Sequence, residues 1–162
     1  MKPITLLQPQ KIVFGTGCIE KLREDYLSMG YKRLFIVTLP FMLPAIKETA
    51  DTLEASGVTV GYYTEICSEP SVADFKKALK KAQEFKADSF LGIGGGSILD
   101  ITKLVSTLIE SEQKIEDLFG IGLIHAKGKW FACIPTTSGT GSEVSPNAIL
   151  LDERDQLKKD VV

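Results

Sequence analysis

Residues 89–108 read SFLGIGGGSILDITKLVSTL and decide the fold. The first five residues predict a short apolar strand, three consecutive glycines follow, and Ser97 opens a segment with helical spacing of apolar residues. The predicted buried side of that helix carries Ile98, Ile101, Leu104, Val105 and Leu108. A strand, a glycine turn and a helix in this order form one repeating unit of an α/β fold.

The same alternation extends to both sides of this stretch. It predicts an α/β, Rossmann-like fold with a largely parallel sheet and helices on both faces. We predict strands at residues 12–14, 34–38, 58–63, 89–93 and 130–134. Preceding helices are predicted at residues 18–29, 43–56 and 71–86, the last with a capping box formed by Ser71 and Asp74.

A β-hairpin is predicted at the end of the sequence. Residues 147–151 and 157–162 flank a polar segment, and the sequence ends inside the second of these predicted strands. Since a lone strand would leave its pattern unfinished, we expect residues 1–162 to form the N-terminal domain of a longer protein.

Composition and charge exclude several classes of protein. The chain has 162 residues, of which 44% are hydrophobic and 25% charged, as in an ordinary globular domain. The net charge of −2 argues against binding to nucleic acid or to an anionic membrane. The sequence has no signal-peptide pattern or membrane-spanning run, which indicates a cytoplasmic protein. Cys18, Cys67 and Cys133 are widely spaced and predict reduced, mostly packed thiols.

The three glycines at 94–96 predict a binding site for an anion. They let the backbone approach a phosphate closely, and the free N–H groups and dipole of the following helix favour negative charge. The alternative is a structural turn in which Ser97 caps the helix and Asp100 closes a capping box. We favour phosphate binding, because each extra glycine loses roughly 0.5–1 kcal/mol of stability relative to alanine and one suffices for a turn. The turn does not match the GxGxxG or GxxxxGK[ST] pattern.

A second polar loop follows the fifth predicted strand. Residues 136–142 are all Thr, Ser or Gly, and structure resumes at Glu143. The alternative is a flexible linker, but threonines are poor linker residues. Because open α/β sheets bind ligands at the carboxyl ends of their strands, we expect the two loops to line one crevice. His125 has no partner at metal-ligand spacing, and we predict neither a catalytic group nor a metal site in this chain.

The motifs in combination resemble those of the iron-containing (group III) alcohol dehydrogenases. The matching elements are FGxG at 14–17, EPS at 69–71, GGGSxxDxxK at 94–103 and PTTxGTGSEV at 135–144, with Asn147 and Lys158 beyond. They occur in the family's order along essentially the whole chain. Their combination is specific, whereas either long motif alone would be less so.

The resemblance implies a two-domain oxidoreductase. Its N-terminal domain would bind NAD or NADP, and a helical domain downstream would hold Fe²⁺ or Zn²⁺ through one aspartate and three histidines. The enzyme would transfer a hydride between the nicotinamide and a small-molecule alcohol or aldehyde, with the metal as Lewis acid. A homodimer is also implied.

The resemblance further implies which residues contact the cofactor. Gly95, Gly96 and Ser97 would hold the pyrophosphate, and Ser145 and Lys158 would approach the nicotinamide half. The adenosine side and phosphates would be contacted by Thr136, Thr137 and Thr140, and Glu69 and Asp100 also occupy cofactor-site positions.

One departure from the family concerns Leu39. Many relatives place an aspartate directly after the strand that corresponds to residues 34–38, where it selects NAD. Residues 38–40 of this chain read TLP instead. We therefore expect weak discrimination between NAD and NADP.

Three other interpretations compete with an alcohol dehydrogenase. Glycerol dehydrogenases and dehydroquinate synthase share a similar cofactor half, but their second motif differs from TTxGTGSE. A stand-alone nucleotide-binding module is the third possibility, and it would require the natural protein to end near Val162.

Overall fold

The computed structural model describes residues 8–66, 69–125 and 127–162. The strands are β1 (Arg33–Thr38), β2 (Thr59–Tyr63), β3 (Ser89–Gly94), β4 (Trp130–Pro135), β5 (Ala148–Asp152) and β6 (Leu157–Val161). The helices are α1 (Ile19–Met29), α2 (Leu43–Ala55), α3 (Val72–Phe85) and α4 (Gly96–Leu108). In this part of the chain, β1–β4 form a parallel sheet in the order β2-β1-β3-β4, and β5 and β6 form an antiparallel hairpin.

Helices cover both faces of the parallel sheet. Leu34 and Ile36 of β1 pack in a cluster with buried residues of α1 and α2. Phe35 and Val37, which alternate with them, pack in a second cluster with α3, α4 and the hairpin. A strand buried on both sides needs apolar residues at every position, which explains the unbroken apolar run of β1. The predicted fold class is confirmed.

Most of the predicted elements are observed within one or two residues of their expected ends. The capping box of α3 is present, since Ser71 Oγ accepts a hydrogen bond from the Asp74 amide and the Asp74 carboxylate accepts one from the Ser71 amide. The predicted hairpin is formed by β5 and β6.

The strand predicted at residues 12–14 is wrong. The structure has no strand there, and the side chains of Ile12 and Phe14 are 64% and 100% exposed. The prediction relied on β-forming residue types, but a strand also needs a neighbour, and no described strand pairs with this segment.

The predicted start of α4 also needs correction. The N-cap residue is Gly95, not Ser97, and no side chain caps the helix by a hydrogen bond. The alternative capping box of Ser97 and Asp100 is therefore absent from these described residues. Helix α4 begins at Gly96, so Ser97 and Asp100 both lie inside it.

A buried ion pair on α4 attaches the hairpin to the parallel-sheet layer. Lys103 Nζ lies 2.9 Å from Asp100 Oδ1, and both side chains are only 10% exposed. The Asp100 carboxylate accepts a hydrogen bond from the Ile149 amide at 3.1 Å. The Lys103 ammonium donates to the carbonyl oxygens of Ser145 and Asn147. The pair thus joins one helix to the start of β5 and to the loop before it.

We predict that Lys103→Met lowers the free energy of unfolding by about 3–5 kcal/mol, because it leaves the buried Asp100 carboxylate without its cation. The double variant Asp100→Asn, Lys103→Met should lose less, since no unpaired charge remains. Denaturant unfolding followed by the fluorescence of Trp130, the chain's only tryptophan, measures both values. A loss below about 1 kcal/mol in the single variant would contradict the role assigned to the pair.

Candidate functional site

The candidate site lies at the carboxyl edge of the parallel sheet. The chain leaves β1 toward β2 on one side of the sheet, and leaves β3 toward β4 on the other. Where two adjacent strands are followed by connections that diverge in this way, a crevice opens that α/β folds use to bind ligands. Leu39 follows β1 and Gly95 follows β3, so two predicted site residues flank this point.

The glycine turn and the Thr/Ser/Gly loop lie directly against each other. The Thr136 amide donates a 2.9 Å hydrogen bond to the Gly94 carbonyl oxygen. A Cβ atom added to Gly95 would lie 3.2 Å from Thr137 Oγ1, and one added to Gly96 would lie 3.1 Å from Ser142 Oγ. The expectation that the two loops lie together is confirmed.

At Gly95 and Gly96, close neighbouring side chains rather than backbone torsion favour glycine. Gly95 has φ −76° and ψ −180°, an extended conformation open to any residue. In the second loop the reverse holds, because Gly139 and Gly141 have φ values of 96° and 67°, which favour glycine. Ser142 is buried, and its amide donates to Thr140 Oγ1. The second loop therefore has a defined conformation with its own hydrogen bond, unlike a flexible linker.

The N-terminus of α4 is open to an anion. The first amides of a helix have no carbonyl partner within it, and here no described side chain accepts a capping hydrogen bond from them. Gly95, Gly96 and Ser97 are all partly exposed. Free amides, the positive end of the helix dipole and a glycine turn that lies close against the second loop together make a cradle suited to a phosphate group.

Behind this cradle, Ser145 and Asp100 are held by contacts within the chain. The Ser145 carbonyl oxygen accepts from Lys103, and its hydroxyl contacts the Asn147 side chain. Asp100 is engaged by Lys103 and by the Ile149 amide. Lys103 lies within the GGGSxxDxxK motif, but the motif did not predict its role. Its signal was a pair of opposite charges three residues apart on an otherwise uncharged helix.

Two of the expected contacts, Glu69 and Lys158, form an ion pair. Lys158 Nζ lies 2.5 Å from Glu69 Oε1. Glu69 precedes α3 in the loop that follows β2, and Lys158 lies on β6. The sequence did not predict this pairing.

Leu39 adopts the extended conformation that Pro40 predicts, with φ −100° and ψ 149°. Its side chain is partly buried against the core on the α3 and α4 side of the sheet. The side chain therefore presents carbon, not a carboxylate, at the end of β1.

The remaining reactive side chains do not join this site. His125 is exposed, and its amide donates to the Gln113 side chain. Burial raises the pKa of the Cys133 thiol to about 12, as expected for a packed thiol. Cys18 is exposed, contrary to expectation, and Cys67 lies outside the described residues.

Two kinds of structure are not found in residues 8–66, 69–125 and 127–162. No three His, Cys, Asp or Glu side chains there are grouped so that they could hold a metal ion. No helix in these ranges is both long and apolar enough to cross a bilayer.

Comparison with known proteins supplies the family. Residues 9–162 match the family model of iron-containing alcohol dehydrogenases. The chain is 37% identical over 155 residues to sulfoacetaldehyde reductase of Bilophila wadsworthia, covering 94% of this chain and 40% of that protein.

Two solved structures have the same fold. An alcohol dehydrogenase from Oenococcus oeni superposes with a TM-score of 0.91 and 30% identity, covering 99% of this chain and 43% of that one. An NADH-dependent butanol dehydrogenase from Thermotoga maritima gives 0.86 and 27%, with coverages of 99% and 41%. The chain thus spans about two fifths of the length of these relatives. On the match over residues 9–162, the chain belongs to the iron-containing alcohol dehydrogenase family.

Proposed function

We propose that this chain is the NAD(P)-binding, N-terminal domain of an alcohol dehydrogenase. The observation that carries the proposal is the uncapped N-terminus of α4, which follows a glycine turn beside a second loop at the carboxyl edge of the sheet. A dinucleotide needs a site for its pyrophosphate at such a helix end, with room for a nucleoside on each side.

The residues of this chain fit the cofactor. The amides at Gly95, Gly96 and Ser97 bind the pyrophosphate, and the hydroxyls of Thr136, Thr137 and Thr140 contact the phosphates and the adenosine side. A Cβ at Gly95 or Gly96 would enter the space between the two loops, which supports direct approach of the backbone to the ligand. Ser145, Lys158, Glu69 and Asp100 belong to the other part of the site.

The reaction is hydride transfer between an alcohol carbon and the nicotinamide. The nicotinamide supplies the hydride acceptor or donor, while the chain's own residues bind and orient it. The names of the relatives support small alcohols and aldehydes as substrates, since they include a sulfoacetaldehyde reductase and a butanol dehydrogenase. A helical domain downstream would hold Fe²⁺ or Zn²⁺, and a cytoplasmic homodimer completes the proposal.

The experiment that tests this function is a titration of the full-length enzyme with NADH and NADPH, followed by an assay with short aldehydes. Binding of neither nucleotide would contradict the proposal. Binding without turnover of any alcohol or aldehyde would leave the domain a nucleotide-binding module and contradict the enzymatic part.

Gly95→Val should abolish cofactor binding with limited loss of stability. The branched side chain would fill the space beside Thr137, yet the backbone at Gly95 is ordinary and imposes no strain. Gly95→Ala is the graded control, because a single Cβ at 3.2 Å from a movable hydroxyl should weaken binding less. Calorimetric titration measures the loss, and an unchanged dissociation constant in a folded Gly95→Val protein would make the turn purely structural.

Leu39 should permit both cofactors, with kcat/KM values for NAD and NADP within about tenfold, or roughly 1.4 kcal/mol. An aspartate there would accept hydrogen bonds from the ribose 2′-hydroxyl and repel a 2′-phosphate, whereas leucine does neither. Leu39→Asp should therefore raise selectivity for NAD.

Leu39→Asn separates charge from the loss of apolar packing, because it matches aspartate in shape. Steady-state kinetics with both cofactors measures the selectivity of each variant. A preference for NAD of about a thousandfold in the unmutated enzyme, or roughly 4 kcal/mol, would show that another residue sets the choice.

A further inference from the structure

The ion pair between Glu69 and Lys158 contributes little to folding. The two side chains remain 44% and 63% exposed. Exposed ion pairs add about 0.2–1 kcal/mol to stability, because water screens the charges and two long side chains lose freedom. A pair of this kind matters more when something covers it, since lower exposure to water strengthens the attraction.

The backbones that carry the two residues are both fixed to Leu151 of β5. In the hairpin register, Lys158 is the partner of Leu151. On the other side, the Leu151 amide donates a 2.9 Å hydrogen bond to the Pro70 carbonyl oxygen, and Ser71 forms a parallel bridge with Leu151. Pro70 and Ser71 are buried. The relative position of Glu69 and Lys158 is therefore set by the fold, and only side-chain torsions remain free.

The chemistry favours a lysine held by the glutamate over a glutamate that contacts the cofactor. A carboxylate is repelled by the negative charge of a dinucleotide, and a lysine without a partner keeps a flexible four-carbon stem. In the pair, the charge of Lys158 offsets that of Glu69, and Glu69 restricts the lysine side chain. The ammonium has three donors, so one bond to Glu69 leaves two for an anionic ligand.

We propose that Glu69 is a positioning residue that holds Lys158 for the cofactor and does not itself contact the cofactor. The proposal rests on the proposed function, because it requires a nucleotide bound beside Lys158. Restricting the Lys158 side chain before binding reduces the freedom that must be lost when the nucleotide arrives.

The test measures NADH and NADPH affinity of the full-length enzyme for wild type, Glu69→Gln, Lys158→Met and the double variant. Glu69→Gln should weaken binding about three- to tenfold and raise the cofactor KM, with kcat changed by less than about twofold. Glu69→Asp should recover part of the affinity. Asp51→Asn is the matched control, because it removes the exposed Lys47–Asp51 ion pair on α2, and it should leave affinity unchanged.

The double variant decides between the two roles of Glu69. If Glu69 acts through Lys158, Glu69→Gln has no further effect once Lys158 is methionine. An equal loss in both backgrounds would mean direct contact and overturn the proposal, as would a change below about twofold in Glu69→Gln alone. Failure of the wild-type enzyme to bind either nucleotide would contradict the proposed function itself.

Discussion

The arrangement of the site depends on the buried ion pair between Asp100 and Lys103. Both charges belong to α4, the helix whose N-terminus faces the crevice, and both reach the segment that leads into β5. Without them, the carbonyl oxygens of Ser145 and Asn147 and the Ile149 amide would lose their partners on the helix. Because a buried pair is expensive to desolvate, its value here lies in fixing one arrangement of loop, helix and hairpin rather than in added stability.

The hairpin in turn fixes the loop that carries Glu69. Leu151 of β5 binds the Pro70 carbonyl oxygen, and the amide of Ala73 in the first turn of α3 donates to the Glu153 side chain from the hairpin turn. The attachment therefore passes from α4 to the hairpin and on to the start of α3. These contacts join three separate chain segments, which is how a site assembled from distant parts of the sequence keeps one geometry.

The sequence predicted those elements whose signals lie within a short stretch of residues. The helix at 71–86 was predictable because its apolar spacing and capping box are contained in sixteen residues. The hairpin and the glycine turn were predictable for the same reason. The strand at 12–14 failed because pairing with a neighbour is not a local property. The partnership of Glu69 with Lys158 was equally hidden, since it arises only when β5 brings two distant segments together. The helix start was missed because a glycine N-cap leaves no side-chain signal.

The central claim is that the cradle at the N-terminus of α4 binds the pyrophosphate of a nicotinamide dinucleotide. A crystal structure of the full-length enzyme with bound NAD(H) or NADP(H) tests it most directly. The account predicts phosphate oxygens about 2.7–3.2 Å from the amide nitrogens of Gly96 or Ser97, between the glycine turn and Thr137. A dinucleotide bound elsewhere, or one whose pyrophosphate lies away from these amides, would contradict it.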